Sequence, residues 1–228
     1  ILKSSKRTII LGDIHGCYKE LKELLKKVKY SQDRDRLISV GDLVHKGPYS
    51  SKVLDFFYNN KLEVIMGNHD WTFLKALQGD NPMYKEAQKI LEKTNTPKEQ
   101  LIDWMESFPF YIKEKNFIAV HACFDPSKSK YSLTSKDDMI SGRYYDSKKQ
   151  RMLSKAQYPL SDHINPWYQA YPEKKNTRLV IFGHWAQPTT RSFNNFRCLD
   201  TGCCYGGKLS CLIIPEDKVV SSPSQQPK

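Results

Sequence analysis

The chain has 228 residues, a hydrophobic share of 39% and a formal net charge of +11, most of it from lysine. That length suits one domain with its own hydrophobic core, and no apolar run approaches the roughly 18 residues of a membrane-spanning helix, so none is expected within it. The positive charge fits either a solvated lysine surface or a polyanionic partner such as nucleotide polyphosphate, RNA or polyphosphate, and charge alone does not choose. The six cysteines form no paired CxxC framework, so buried reduced thiols and a cytoplasmic location are expected. The sequence starts at Ile1 instead of Met, so a piece of a longer chain is expected, and a preceding signal or anchor stays open.

In chain order, Thr8 to Leu11 reads as a strand. Tyr18 to Val28 reads as a helix with Leu21, Leu24, Leu25 and Val28 on one face and lysines on the other. Leu37 to Val40 is a strand, Ser51 to Tyr58 a helix and Leu62 to Met66 a strand. This alternation predicts βαβ units and a mostly parallel sheet, whose carboxyl ends gather active sites. Trp71 to Ser107 is helical, interrupted at Gly79, Pro82 and Pro97. Tyr111-Ile112 and Phe117 to Val120 form a hairpin. Residues 125 to 177 are polar, rich in Tyr and Lys and without clear period, and they read as a long loop region in which substrate specificity would sit. Leu179 to Phe182, Phe196 to Leu199 and Leu209 to Ile214 are three more strands. The expected domain spans residues 1–215, with 216–228 a disordered Ser/Pro/Gln-rich tail.

Five motifs stand at the ends of these strands: Gly12-Asp13-Ile14-His15-Gly16, Gly41-Asp42-Leu43-Val44, Gly67-Asn68-His69-Asp70, Val120-His121-Ala122 and Phe182-Gly183-His184-Trp185. A lone Gly-Asp is most often a turn and a lone His a core or surface residue. Yet five of the six histidines, His15, His45, His69, His121 and His184, lie in or beside these motifs, and only His163 does not. Asp13 and His15, two residues apart after a strand, suit a first cation, and Asp42 can bridge to a second held by Asn68, His121 and His184. Oxygen ligands mixed with imidazole suit Mn, Fe, Zn, Co or Mg. Two divalent ions would activate a water toward phosphorus, and His69, next to Asn68, is placed to protonate the leaving oxygen.

These residues resemble the calcineurin-like metallophosphoesterases of the phosphoprotein-phosphatase type, with motifs GDxHG, GDxVDRG, GNHE, a metal histidine and a later GH. The resemblance runs from about residue 7 to residue 214. It is closest to the symmetrical diadenosine-tetraphosphatase (ApaH and ApaH-like) branch, carried by Asp70 where protein phosphatases have Glu, by Phe182 to Ala186 (FGHWA), and by Leu199 to Leu209 (LDTGCCYGGKL). It implies an α/β fold, a four-layered α/β/β/α sandwich. It implies two divalent metal ions, one held by Asp13, His15 and Asp42 and one by Asp42, Asn68, His121 and His184, with His69 as general acid. It also implies an arginine on the phosphate, for which Arg143 is the candidate, a solvated loop arginine being its ordinary alternative. The implied reaction is symmetrical cleavage of a dinucleoside tetraphosphate, with the RNA 5′-cap or inorganic polyphosphate as close seconds.

The departure is at Gly41 to Pro48 (GDLVHKGP), which replaces GDxVDRG. His45 stands where an Asp would orient His69, and Lys46 where an Arg would grip phosphate, giving a point charge instead of a planar fork. Cys203 and Cys204 read as packing residues and not as a nucleophile, because no His is tied to them in sequence. Tyr144, Tyr145, Trp167, Tyr168 and Tyr171 fit either a platform for a nucleobase or the internal anchors of their loop. Two other functions remain on the sequence: a serine/threonine phosphoprotein phosphatase, and a non-catalytic nucleic-acid-binding module. Oligomeric state is not legible.

Overall fold

A computed structural model describes residues 7–79, 84–155, 159–171 and 178–227. Pro82, residues 156–158 and 172–177 of the expected loop region, and Lys228 lie outside them. Two five-stranded sheets stack face to face. The first is ordered β13-β12-β1-β2-β3 and contains β1 (Arg7–Leu11), β2 (Asp35–Ser39), β3 (Glu63–Val64), β12 (Lys208–Ile214) and β13 (Lys218–Pro223). The second is ordered β10-β11-β9-β5-β4 and contains β4 (Tyr111–Lys113), β5 (Phe117–Val120), β9 (Leu179–Phe182), β10 (Arg191–Phe193) and β11 (Phe196–Cys198). Each has a parallel centre, β1-β2-β3 and β11-β9-β5, flanked by antiparallel strands. The expectation of a mostly parallel sheet therefore holds for the centres and not for the flanks.

Period-two alternation divides the apolar side chains between layers. In β1, Ile10 faces the second sheet, while Ile9 and Leu11 face the helices. In β5 and β9, Phe117, Ala119 and Ile181 point between the sheets and Ile118, Val120, Val180 and Phe182 point outward. Helices α1 (Tyr18–Lys27), α2 (Ser50–Asn59), α3 (Asn68–Leu77), α4 (Tyr84–Leu91) and α5 (Lys98–Glu106) supply the layer over the first sheet. Over the second sheet lie the short helices α6 (Lys136–Ser141) and α7 (Trp167–Ala170) with a small sheet β7-β6-β8, made of β6 (Tyr144–Asp146), β7 (Arg151–Leu153) and β8 (Ile164–Pro166). The result is the α/β sandwich with helices on both outer faces. No helix among the described residues is long and apolar enough to cross a membrane.

Two expectations need correction, and one open choice is decided. The region from residue 125 onward is not one loop, because α6, α7 and the three-stranded sheet occupy much of it. Its elements are three to six residues long, too short to give a readable period. Its aromatics are internal anchors, with Trp167 1% and Tyr144, Tyr145, Tyr168 and Tyr171 at most 8% exposed, so none is a nucleobase platform. The tail is also ordered. β13 pairs with β12 from Lys208↔Pro223 to Ile213↔Lys218, and Glu20 Oε1 accepts from Gln225 N–H and Gln226 Nε2, both at 2.8 Å. Partners on β12 and α1 order a segment whose own composition would not.

Candidate metal centre and active site

The motif residues come from loops that leave β1, β2, β3, β5 and β9 and meet at one end of the sandwich. Their backbones are unusual. Of the ten described non-glycine residues with positive φ, five are His15, Asp42, His45, Lys46 and His184. Strain concentrated at one place is affordable only where the surroundings fix it, and it aims these side chains inward. The motif glycines supply room. A Cβ on Gly67 would run into Asp42 Oδ1, and one on Gly183 would run into Asp13 Oδ1. These glycines are needed because carboxylates sit where their side chains would be.

At this end of the sandwich, two groups each gather their ligand atoms within 4.8 Å: His15, Asp42 and His69, and Asp42, His121 and His184. Asp42 belongs to both. Its Oδ2 is 3.4 Å from His15 Nε2 and 3.6 Å from His121 Nε2. Asn68 Oδ1 is 3.1 Å from His121 Nε2 and 2.9 Å from His184 Nδ1. Asp13 joins neither group at that distance. Both its oxygens lie 3.1 Å from the His184 backbone N, which donates to them.

The tautomers follow from the outer contacts. His15 Nδ1 and His121 Nδ1 each lie 3.0 Å from a backbone carbonyl, Val44 O and Val40 O, and His184 Nε2 lies 3.2 Å from Ser141 O. Carbonyls accept only, so these nitrogens carry the protons, and the opposite lone pairs point at Asp42 and Asn68. Lone pairs facing acceptor oxygens fit a divalent cation between them, with the outer N–H tethered as in metal-bound imidazole.

The charges say the same. Burial raises Asp13 well above the usual carboxylate range, with Asp200 and Asp42 adding to it, and burial beside Asp70 does the same to Asp42. Burial lowers the imidazoles, His69 and His121 to about 3 and His15 and His184 downward as well. The centre therefore holds neutral imidazoles and crowded carboxylates, a donor set that a cation relieves.

Each remaining candidate is near. His69 N–H donates to Asp42 Oδ1 at 2.9 Å, and His69 Nδ1 lies 3.0 Å from His45 Nδ1. Lys46 Nζ is 3.2 Å from His15 Nε2. Arg143 donates through Nη2 to His184 O at 3.2 Å and through Nη1 to Ser154 O at 2.8 Å, while its Nε has no partner among the described residues. Burial lowers its pKa, and Asp200, Asp13 and Asp42 oppose that.

Sequence reasoning missed three contributors. Asp70, fully buried, accepts from Asp42 N–H at 2.7 Å, Leu43 N–H at 2.9 Å and Gly67 N–H at 3.3 Å, and so pins the second motif to the third. Its signal was its place directly after Asn68-His69. Asp200, 5% exposed, faces Asp13 electrostatically, and its signal was the Leu199-Asp200-Thr201-Gly202 run. Arg191 stacks 4.6 Å over Trp185 and donates to Trp185 O at 2.7 Å, a placement no local pattern announces. The cysteines are free and five of the six are buried, as expected. Cys17, Glu20 and Cys203 cluster together, the two cysteines within the helical core. The Cys204 thiol is pushed up to about 12, mainly by burial, the opposite of what a nucleophile needs.

The profile of the calcineurin-like phosphoesterase family matches residues 6–212. The chain belongs to that family. Among curated proteins it is similar to the symmetrical bis(5′-nucleosyl)-tetraphosphatase of Proteus mirabilis (strain HI4320), 26% identical over 95% of this chain and 97% of that one. The enzyme of the same name from Shewanella oneidensis is 28% identical, over 92% and 96% of the two chains. A crystal structure provisionally described as a diadenosine tetraphosphatase superposes with a TM-score of 0.83 at 28% identity, covering 98% of this chain and 96% of that one.

Proposed function

We propose that this calcineurin-like phosphoesterase uses two divalent ions to split dinucleoside polyphosphates symmetrically, diadenosine tetraphosphate giving two ADP. The observation that carries the reading is Asp42, whose carboxylate is shared by two groups of inward-facing donors. The full-length likeness to proteins named symmetrical tetraphosphatases supports the substrate.

When bound, divalent cations supply Lewis acidity toward phosphoryl oxygens and a nucleophilic water. Asp13, His15 and Asp42 would hold one ion, and Asp42, Asn68, His121 and His184 the other. Lys46 and Arg143 bind non-bridging phosphate oxygens from the rim. His45 donates Nδ1–H to His69 Nδ1, which aims His69 Nε2–H at the leaving phosphate oxygen, where it hydrogen-bonds the developing negative charge; the proton that ends on that oxygen is the one released by the attacking water. One central P–O–P bond is broken, a water's hydroxyl joins one phosphorus, and the other fragment leaves carrying the proton.

The experiment is product analysis, by chromatography and mass spectrometry, of manganese-loaded protein with diadenosine tetraphosphate. ADP as the sole early product is expected, and Asp42→Asn should abolish it. AMP with ATP would mean asymmetrical cleavage and overturn the reading. The net charge of +11 supports capped RNA and inorganic polyphosphate as further substrates of the same chemistry, and both belong in the panel.

A further inference from the structure

A cavity of about 510 Å³ opens beside the candidate centre. Its walls continue the site motifs: Ala186 lies two residues beyond His184, and Thr201 directly follows Asp200. Gln187, Pro188, Tyr205 and Lys208 complete the parts that matter. Tyr205 is 57% exposed, more than any other described aromatic, whereas the aromatics of the outer layer are buried. Gly202 and Gly206, with φ of 67° and 78°, bound the turn that carries it, so the cavity floor there is bare backbone.

Lys46 joins cavity and centre. Its Nζ is 3.2 Å from His15 Nε2 and 5.0 Å from the Tyr205 ring centroid, and so it lies between the two. The phosphate end and the aromatic end of one ligand would therefore meet at this ammonium. The Gln187 carboxamide has no hydrogen bond among the described residues, while its backbone N–H is fixed to Asp200 O at 3.2 Å. A free carboxamide offers the donor and acceptor pair that matches the N6/N7 edge of adenine.

We propose that this cavity is an adenine-nucleoside subsite, with the base stacked on Tyr205 and read by Gln187, and the adjoining phosphates led past Lys46 to the metal centre. The size suits a small-molecule pocket, and base stacking on an exposed aromatic is a general mode of nucleotide binding. The proposal rests on the reading of the protein as a dinucleoside polyphosphatase and names the part of the site that reads the nucleoside.

The test compares two non-hydrolysable ligands by calorimetry on manganese-loaded protein: α,β-methylene-ADP and methylenediphosphonate, which differ only by the nucleoside. The wild type should bind the nucleotide about tenfold more tightly. Tyr205→Ala should reduce that ratio to about one, and Tyr205→Phe, which keeps the ring and loses the hydroxyl, should retain it. Gln187→Trp, which fills the cavity, should also abolish the preference, and it decides the matter if Tyr205→Ala does not fold. Equal wild-type affinity for the two ligands, or an unchanged ratio in the folded Tyr205→Ala or Gln187→Trp protein, overturns the subsite. Diadenosine tetraphosphate that is bound but not cleaved would instead remove the hydrolytic reading, and the ligand ratio would still judge the cavity.

Discussion

His45 Nδ1 lies 3.0 Å from His69 Nδ1, so one imidazole holds the other where the resemblance leads one to expect a carboxylate. His45 Nε2 is buried without a partner among the described residues. A buried N–H there would go unsatisfied, so the proton belongs on Nδ1 and is donated to His69. That fixes His69 as the tautomer with Nε2–H free for the site, but it adds no negative charge to support a histidinium.

The consequence is kinetic. His69→Ala should lower kcat by about 10²–10⁴-fold. His45→Ala should lower it by about tenfold with metal content unchanged, because the tautomer is no longer fixed. Burial, Lys46 and His45 lower His69 to about 3. His45→Asp sets a carboxylate beside it and should raise the His69 pKa by at least about one unit. An NMR titration of the His69 ring checks this, and an unmoved pKa in His45→Asp would rule out the contact between the two side chains.

Asp70 is the strut between the second and third motifs, and its three backbone donors want an acceptor. Asp70→Asn turns an NH2 toward N–H groups that are themselves buried. The expected cost is about 3 kcal/mol, on the order of 10 °C in melting temperature, with weaker manganese binding. Thermal melts and metal analysis of the same sample read both effects, and a variant that melts like the wild type would contradict the strut.

Gly67→Ala and Gly183→Ala place a methyl against Asp42 and Asp13 respectively. Each should cut manganese affinity by about 10–100-fold and activity with it, as disturbed ligand orientation does. Gly79→Ala is the control, since its Cβ would meet nothing within 4 Å although φ is +93°. It should cost about 1 kcal/mol of stability and leave activity alone. Calorimetric manganese titrations of the three variants separate space at the site from backbone strain.

The contrast between these residues shows what the chain reveals in one dimension. Asp13, His15, Asp42, Asn68, His121 and His184 were legible because each sits in a short strand-end motif with its own glycine or histidine. The central strands were legible because their apolar runs serve two cores at once. β13 was not, because Lys218-Val219-Val220-Ser221 is ordered by the edge of β12 and by Glu20 and Glu23 on α1, roughly 200 residues away in sequence. Tyr205 was unread for a similar reason. Inside a turn signature it looks like loop chemistry until Lys46 and the 186–188 segment are seen beside it.

Titration of the buried histidines sets the acid behaviour of chelated protein. His121 is lowered to about 3 from 6.5, mainly by burial. Its contribution to stability is complete above 6.5, where the unfolded chain is also neutral, and is lost as pH falls toward 3 because only the unfolded chain takes the proton. Asp70 acts oppositely: raised from 3.8 to about 6 by burial, it stabilises below 3.8 and loses that contribution as pH rises to 6. With His15, His45, His69 and His184 lowered too, five histidines outweigh Asp13, Asp42, Asp70 and Asp200 as pH falls through 6.5. The melting temperature should therefore fall from pH 7 to pH 5 after chelation. Manganese, by occupying the lone pairs, should raise the melting temperature at pH 7 and displace the fall to lower pH. A flat pH series in the chelated protein would contradict the assigned lone pairs.

Removing residues 216–228 tests whether the last strand is part of the domain. Six residue pairs join β13 to β12, and Ser222, 3% exposed, packs against Glu23 on α1 through a 3.2 Å hydrogen bond. Glu20 is fully buried and its Oε1 depends on Gln225 and Gln226 for donors. Truncation leaves that carboxyl without them and exposes the backbone edge of β12, a template for pairing with another chain. The truncated protein should melt lower by more than about 5 °C and aggregate near neutral pH, as light scattering during a thermal ramp would report. Restoring only residues 216–223 should recover the β12 edge and suppress aggregation without returning full stability, since the Glu20 donors are still missing. If the truncated chain stays monomeric with an unchanged melt, the strand is dispensable and the domain ends at Pro215.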